Sequence, residues 1–521
     1  MSEHSLKPVT LLITTFAATY VLQRVANGWK AAKSVRDWPG PRSLLSDGSI
    51  LGNALPPILY VAPGMNSHFI NKFDLFQQYD CDVIARVSYW PKAGATIHIA
   101  NAETLKLASW ARQRFPKDIE VYAALQIFGN NIVASEYDEW KFHRRIAAPA
   151  FSDRNNNLVW AKTVDTVNGL MSDVWKNEKE VHVDNLLDLA LSSALFVIGG
   201  AAFGRTISWL DEETVAPGHK MSFKDAMVCV STDVTIYMIS PNWMPGFTEK
   251  IRRVRMAFDE LEIYMTEMVE ERRIGKMERF DLLTRLLEEN DHDEDAMSMR
   301  GILSNIFMFM VAGHETLAHT LCFAFALLAL YPDEQDKLYG HIKSVLPKDG
   351  TLPTFDDMSK YTQTMAVFNE TLRMFPPVTT IPKVSAEDQV VGGTRLSDGS
   401  KVTVPCPVGT MVGFSIAGLH YNPRYWQSPH EFRPNRFLGD WPRDAFLPFA
   451  AGPRACLGRK FAETEGIAII TLLVAKYRVE IKEEPEFSCE SFDQRRERVL
   501  RTTGGLTLTP VRVPLTFRRR D

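Results

Sequence analysis

Thirty residues from Gly301 to Leu330, GILSNIFMFMVAGHETLAHTLCFAFALLAL, contain one formal charge, Glu315. A run that long and apolar either crosses a bilayer or fills the centre of a large globular domain. A transporter would need further spans, and none of comparable length follows residue 330. A carboxylate beside two histidines at mid-span would also need partners inside a helical bundle. The expectation is therefore a fully buried central helix. The rest of the chain can surround it: of 521 residues, 45% are hydrophobic and 23% charged, which excludes disorder and fibrous repeats. Lys plus Arg number 59 against 63 Asp plus Glu, a net charge of −4 that offers no field to attract nucleic acid.

The amino end presents the membrane question again. Pro8 to Gln23 is free of charge, but sixteen residues reach only about 24 Å of a hydrocarbon core about 30 Å thick. If Arg24 snorkels, the span extends to Trp29 and is long enough. Lys30, Lys33 and Arg36 follow the segment while Lys7 precedes it, so the positive-inside rule leaves the bulk of the protein cytoplasmic. The six cysteines form no CxxC pair, and no small-residue cleavage site closes the apolar run; both argue against a secretory signal. The expected division is an anchor at 1–29, a Pro-rich hinge and the start of the globular domain at 30–60, stiffened by Pro39-Gly40-Pro41, and the main globular domain at 61–521.

Beyond the exit, Ala95 to Asn101 alternates as a strand does. From about Ser135 to Glu289 apolar residues recur at helical spacing, as in Leu186, Leu187, Leu189, Ala190, Leu195 and Phe196. The acidic run Glu288 to Asp295 lacks the glycine and ligand order of a calcium loop and is expected to be a solvated loop. Lys401 to Gly418 reads as short strands packed on the helical body. Nucleotide-binding loops of the GxxxxGKS or GxGxxG kind are absent.

Chemistry concentrates in Phe449 to Gly458, FAAGPRACLG. Gly452 permits a tight turn and close approach to a flat ligand. Gly458 opens an apolar helix whose first N–H groups can point back at the Cys456 sulfur, and with Arg454 nearby they favour a thiolate. Such a sulfur suits a soft or haem metal. Taken alone, Cys456 is better explained as an ordinary buried cysteine in a turn.

Its company decides. FAAGPRACLG resembles the haem-binding loop of the cytochrome P-450 family, Phe-x-x-Gly-x-Arg-x-Cys-x-Gly, at every fixed position. Ala312-Gly313-His314-Glu315-Thr316 resembles that family's oxygen-activating kink, Glu370-Thr371-Leu372-Arg373 its Glu-x-x-Arg helix, and Pro434-Asn435-Arg436-Phe437 the Pro-x-Arg-Phe element. Trp140-Lys141-Phe142-His143-Arg144 resembles the Trp-x-x-x-Arg helix. The departures are Asn435 in a commonly acidic place, Leu317 where a second hydroxyl often sits, and a shortened Pro-Gly-Pro exit.

The resemblance implies a mainly α fold with small β-sheets, preceded by one transmembrane helix. It implies haem b (iron protoporphyrin IX) with Cys456 as axial iron ligand in a setting of Phe449, Gly452 and Gly458. Trp140, Arg144 and Arg454 would be donors to the haem carboxylates. Ala312 and Gly313 would lie over the haem, with Gly313 letting the central helix widen; Thr316 would hold a water, and Glu315 would help deliver protons. Glu370, Arg373 and Arg436 would form a buried structural network. Met308, Val311, Val378 to Ile381 and the stretch from Val121 to Phe128 would line an apolar pocket.

The implied activity is a monooxygenase of the endoplasmic reticulum membrane that oxidises a hydrophobic small molecule, a fungal secondary metabolite such as a terpenoid. Only 65 residues follow Cys456, too few for a fused reductase. Electrons would come from NADPH-cytochrome P-450 reductase, with cytochrome b5 as a second donor, at a face bearing Lys141, Arg145, Arg459 and Lys460. The rival readings are a haem-thiolate isomerase or dehydratase, against which Thr316 argues, and a non-catalytic haem-binding membrane protein, which has no use for the Glu315-Thr316 pair.

Overall fold

The structure, a computed structural model, describes residues 6–205, 207–210, 215–240, 248–274, 281–293, 295–348 and 351–520. The chain divides into two units, and both are discontinuous in sequence.

The first unit comprises residues 1–118, 378–430 and 442–455. Its five-stranded sheet runs Arg42–Leu45, Val83–Trp90, Gly94–Ile99, Met411–Ser415, Thr380–Val384 in spatial order. Gly94–Ile99 pairs antiparallel with Val83–Trp90 and parallel with Met411–Ser415, in register Thr96 to Met411. The expected strand at Ala95 is thus an inner one. Lys401–Cys406 forms a hairpin with Gln389–Thr394. The expected short strands are thus present in this unit, and Met411–Ser415 extends the ladder begun near the amino end.

A helix, Leu6–Ser34, leads into this unit. Leu11, Leu12, Phe16 and Leu22 along it are exposed, whereas at Gly28 it closes on Tyr89, whose ring carbon lies 2.2 Å from where a Cβ would stand. The Pro-rich exit is then tied to an inner strand: Trp38 Nε1 donates to the Val83 carbonyl at 2.9 Å, and the Ala85 and Val87 amides donate to the carbonyls of Pro39 and Pro41, both at 3.0 Å.

The second unit, residues 119–377, 431–441 and 456–521, holds the long helices. The apolar run becomes one helix, Met299–Leu330, which starts where the Ser298 hydroxyl accepts from the Gly301 amide and stops before Pro332. It packs against Leu186–Phe203, Thr362–Met374 and Arg459–Lys476. Small residues permit these approaches: a Cβ at Gly313 would stand 2.5 Å from Ile198 Cδ1, and one at Gly466 2.5 Å from the Phe368 ring. A three-stranded antiparallel sheet, Glu180–Val183, Leu515–Arg519, Tyr477–Ile481, also belongs to this unit. Among the described residues, two helices are long and apolar enough to cross a membrane by length and composition, Leu186–Phe203 and Met299–Leu330. They are 72% and 83% buried inside the fold, which accounts for their composition.

The acidic run departs from expectation. Helix Leu282–His292 continues through Glu288 to His292, because Leu282, Leu283, Leu286 and Leu287 bury one face of it. Asp293 then pairs with Arg145 at 2.7 Å, and Glu294 lies outside the described residues.

Candidate active site

The central helix is buried on every side except along one stripe. Phe309, Gly313 and Thr316 are half-buried and Ala312 is exposed, while their neighbours are packed in the core. Their spacing, three to four residues, is one helical face. Met308 and Val311, expected to line the pocket, instead belong to the apolar core of the second unit at 3% exposure each. In an all-apolar helix the hydropathy pattern cannot tell a packed face from an open one.

Three residues near this stripe have definite contacts within the protein. The helix runs through Gly313 without widening, since that glycine serves the close approach of Ile198. Thr316 Oγ1 donates to the Ala312 carbonyl at 2.7 Å, the ordinary bond of a helical threonine to the preceding turn, and its oxygen lone pairs are what it has left to offer. Glu315 is buried and accepts from Thr507 Oγ1 at 2.8 Å. Thr507 in turn meets His319 Nδ1 at 2.9 Å, so Nδ1 carries the proton that the Thr507 oxygen accepts. Burial pushes the Glu315 carboxyl up from its ordinary value and holds His319 and His314 down to about 4, so both rings are neutral near pH 7. His319 and Thr507 were not identified from sequence. The four-residue spacing of Glu315 and His319 was the available signal for the first, and nothing local marks Thr507.

Cys456 lies just ahead of helix Arg459–Lys476, whose amino cap is Gly458. The residue is exposed, and the Gly458 amide donates to its sulfur. Enclosure by the surrounding protein pushes the thiol of the metal-free cysteine up from its ordinary value. The opposing pull comes from the Gly458 amide, Arg144 and Arg459. A positive metal ion at the sulfur would reverse that balance, since a coordinating thiol is deprotonated.

Arg144 and Trp140 lie one turn apart on helix Tyr137–Ala147, the guanidinium 5.8 Å from the indole centroid. The helix is fixed to the central one through His143, whose Nδ1 accepts from Asn305 Nδ2 at 2.9 Å. The rest of the cysteine motif, Phe449 to Ala455, belongs to the first unit. Gly452 there has φ +70, and its missing Cβ would fall 2.6 Å from the Ser109 carbonyl oxygen. The absence of a Cβ thus lets this turn lie against the protein's own backbone. Arg454 follows in a short 3-10 turn, Gly452–Arg454, and like Phe449 is half-buried.

Glu370, Arg373 and Arg436 come together. Arg373 donates to Glu370 through Nε at 2.7 Å and Nη2 at 3.0 Å; Arg436 Nε donates to Glu370 Oε1 at 3.1 Å. The Arg433 amide gives the same carboxylate a further bond at 2.9 Å, and Arg373 reaches the Glu431 carbonyl at 3.4 Å. Glu370 and Arg373 are fully buried, so this carboxylate is held by two guanidinium groups and a backbone amide. Asn435, in place of an acid, accepts from Gln363 at 3.1 Å. Of the four basic residues expected on a docking face, Lys141 pairs with Asp138 and Arg459 with Glu463, Arg145 being held by Asp293, while Lys460 stands 5.9 Å from the Phe355 ring centroid.

A long buried helix with one open stripe and an exposed cysteine at the head of a second helix are the parts that a haem-thiolate enzyme requires. The sequence profile described as Cytochrome P450 matches residues 65–500. Cytochrome P450 monooxygenase 124 of Postia placenta (strain ATCC 44394 / Madison 698-R) is 46% identical over 98% of this chain and 99% of its own. Cyclooctat-9-en-7-ol 5-monooxygenase of Streptomyces melanosporofaciens is 28% identical over 68% of this chain and 74% of its own. Among solved structures, the cytochrome P450DA heme domain shares the fold with a TM-score of 0.74 at 21% identity, over 93% of this chain and 98% of that one. The chain belongs to the cytochrome P450 family and is a monooxygenase of that family, an oxidoreductase that binds haem b through a cysteine thiolate.

Proposed function

We propose that the protein uses O2 and two electrons derived from NADPH to hydroxylate an apolar small molecule, with Cys456 as the iron ligand. The balance is one oxygen atom into a C–H bond and the other, with two protons, into water. The observation that carries this reading is the pairing, within one unit, of an exposed sulfur bonded by the Gly458 amide with an otherwise buried helix open at Ala312, Gly313 and Thr316. Haem, when bound to a thiolate, supplies the electron push that favours O–O cleavage. The chain's own contribution is placement. Trp140, Arg144 and Arg454 offer donors to the haem carboxylates, Phe449, Gly452 and Gly458 shape the cysteine loop, and Ala312 and Gly313 keep the distal side clear. The Thr316 oxygen accepts from a water, and Glu315, with its raised affinity for a proton, is the nearby buried acid.

Anchoring at residues 1–29 in the endoplasmic reticulum membrane is supported by the exposed Leu11, Leu12, Phe16 and Leu22. The electron donors in this reading are NADPH-cytochrome P-450 reductase and cytochrome b5. A terpenoid or similar secondary metabolite as substrate draws support from the Streptomyces relative, whose name gives a cyclic alcohol, cyclooctat-9-en-7-ol, as its substrate.

The test is the carbon-monoxide difference spectrum of the reduced protein beside Cys456→Ser. A strongly red-shifted Soret band lost in the variant is expected; a band typical of histidine ligation would overturn the assignment. Thr316→Ala should consume NADPH and O2 with less product and more peroxide, and an unchanged product yield would count against monooxygenation through this threonine.

A further inference from the structure

Away from the haem-thiolate residues, the first unit brings together three metal-ligating side chains that are distant in sequence. Asp47 follows the strand Arg42–Leu45, His68 lies on the short helix Ser67–Asn71, and His98 lies on the strand Gly94–Ile99. One donor atom from each falls within 4.8 Å of the others. Their side chains are 12%, 19% and 5% exposed. We propose that Asp47, His68 and His98 form a binding site for a divalent transition-metal ion, with Zn2+ the ion its donors suit best.

Two observations carry this. The first is spacing: Asp47 Oδ2 stands 3.2 Å from His68 Nε2 and 3.3 Å from His98 Nε2. Ligands held tetrahedrally at about 2.0–2.1 Å from zinc are separated from each other by about 3.3 Å, so the two Asp–His separations match edges of such a site, and the two histidine donors lie within 4.8 Å of each other. The second is bonding. Asp47 Oδ2 and both ring nitrogens of His98 are buried and make no well-aligned hydrogen bond, Oδ2 meeting the two histidines only at the ion-pair distances just given. Buried polar atoms are rarely left so, and an ion among the three would satisfy Oδ2 and Nε2 together. Gly413 brings the neighbouring strand against this ring, since a Cβ there would stand 2.7 Å from His98 Nδ1.

Arg86 fixes the character of the site. Its Nη1 lies 3.8 Å from the same Asp47 oxygen, so a cation enters against a positive charge, and the fourth position is suited to an anionic ligand such as hydroxide. Two imidazoles and one carboxylate suit zinc over calcium or magnesium, which prefer all-oxygen sets. The bound ion would tie the turn at Asp47 and the helix bearing His68 to the inner strand Gly94–Ile99.

The test uses the full-length haem-loaded protein, stripped with a chelator and titrated with Zn2+, with zinc counted against haem iron by elemental analysis. One zinc per chain is expected, with at least a tenfold loss of affinity in Asp47→Asn and in His68→Gln. Arg86→Gln should bind zinc at least as tightly as the parent. Retention of haem and of the carbon-monoxide spectrum reports on folding separately from zinc. If Asp47→Asn does not fold, His68→Gln, at the more exposed edge, decides alone. No zinc held at micromolar free ion, or equal zinc in parent and His68→Gln, would overturn the site.

Discussion

Two glycines of the cysteine loop look equivalent in the motif but are not equivalent in the fold. Gly452 has φ +70 and lies against the Ser109 carbonyl. Gly458 has φ −80, and the nearest atoms to an added Cβ are Phe151 Cε1 at 3.8 Å and the Cys456 sulfur at 4.0 Å. Gly452→Ala should therefore cost about 1–2 kcal/mol for the left-handed backbone alone, with the clash added. Gly458→Ala should cost less than about 1 kcal/mol, mainly as a poorer amino cap. Urea unfolding of the two variants checks this, the midpoint falling clearly further for Gly452→Ala. The presence of both glycines was legible in the sequence. Which one the backbone requires was not, because the Ser109 carbonyl is brought to Gly452 by tertiary structure. The same holds for Thr316 and Glu315: the motif identifies them, but the partners Ala312 and Thr507 that hold their hydrogen bonds come from the helix and from a distant hairpin turn.

At the scale of elements, the helix Thr362–Met374 is held by charge as much as by apolar packing. Glu370 accepts four hydrogen bonds, from Arg373 twice, Arg436 and the Arg433 amide, and all of them would meet a weaker acceptor in Glu370→Gln. That variant leaves buried guanidinium charge uncompensated and should lose about 3–5 kcal/mol. Arg436→Gln, at a side chain 12% exposed, should lose less because water can reach the vacated position. Unfolding midpoints and haem retention measured on the pair would order them, and the reverse order would refute this account of the network. The Glu-Arg spacing was legible as two neighbours on one helical face. The Arg433 amide and the Glu431 carbonyl were not, since main-chain partners leave no mark in a side-chain pattern. The central helix was legible in length and burial, with two residues added at its start, but its open stripe could not be read from thirty nearly uniform apolar residues.

For the molecule as a whole, acid should be destabilising in a defined window. His314 and His319 are buried and titrate at about 4, against an ordinary 6.5 in the unfolded chain. Between those values the unfolded chain binds protons that the folded one refuses, so stability falls as pH drops from about 6.5 toward 4 and levels off below. Urea midpoints from pH 7.5 to 4.5 should show the fall, and His319→Gln should make it shallower. An equal slope in the variant would assign the acid sensitivity to other groups.

The first unit is stitched from three separate stretches of chain, and its sheet pairs Thr96 with Met411. Neither unit can be cloned, grafted or inherited as a continuous piece. A fragment ending before residue 378 lacks two strands of the five-stranded sheet and exposes the Gly94–Ile99 ladder as an unpaired edge, a template for aggregation. Pairing across so long a stretch also makes closure of that sheet slow relative to local helix formation. Engineering this protein therefore has to proceed by substitution within an intact chain, because there is no seam at which a functional half can be exchanged.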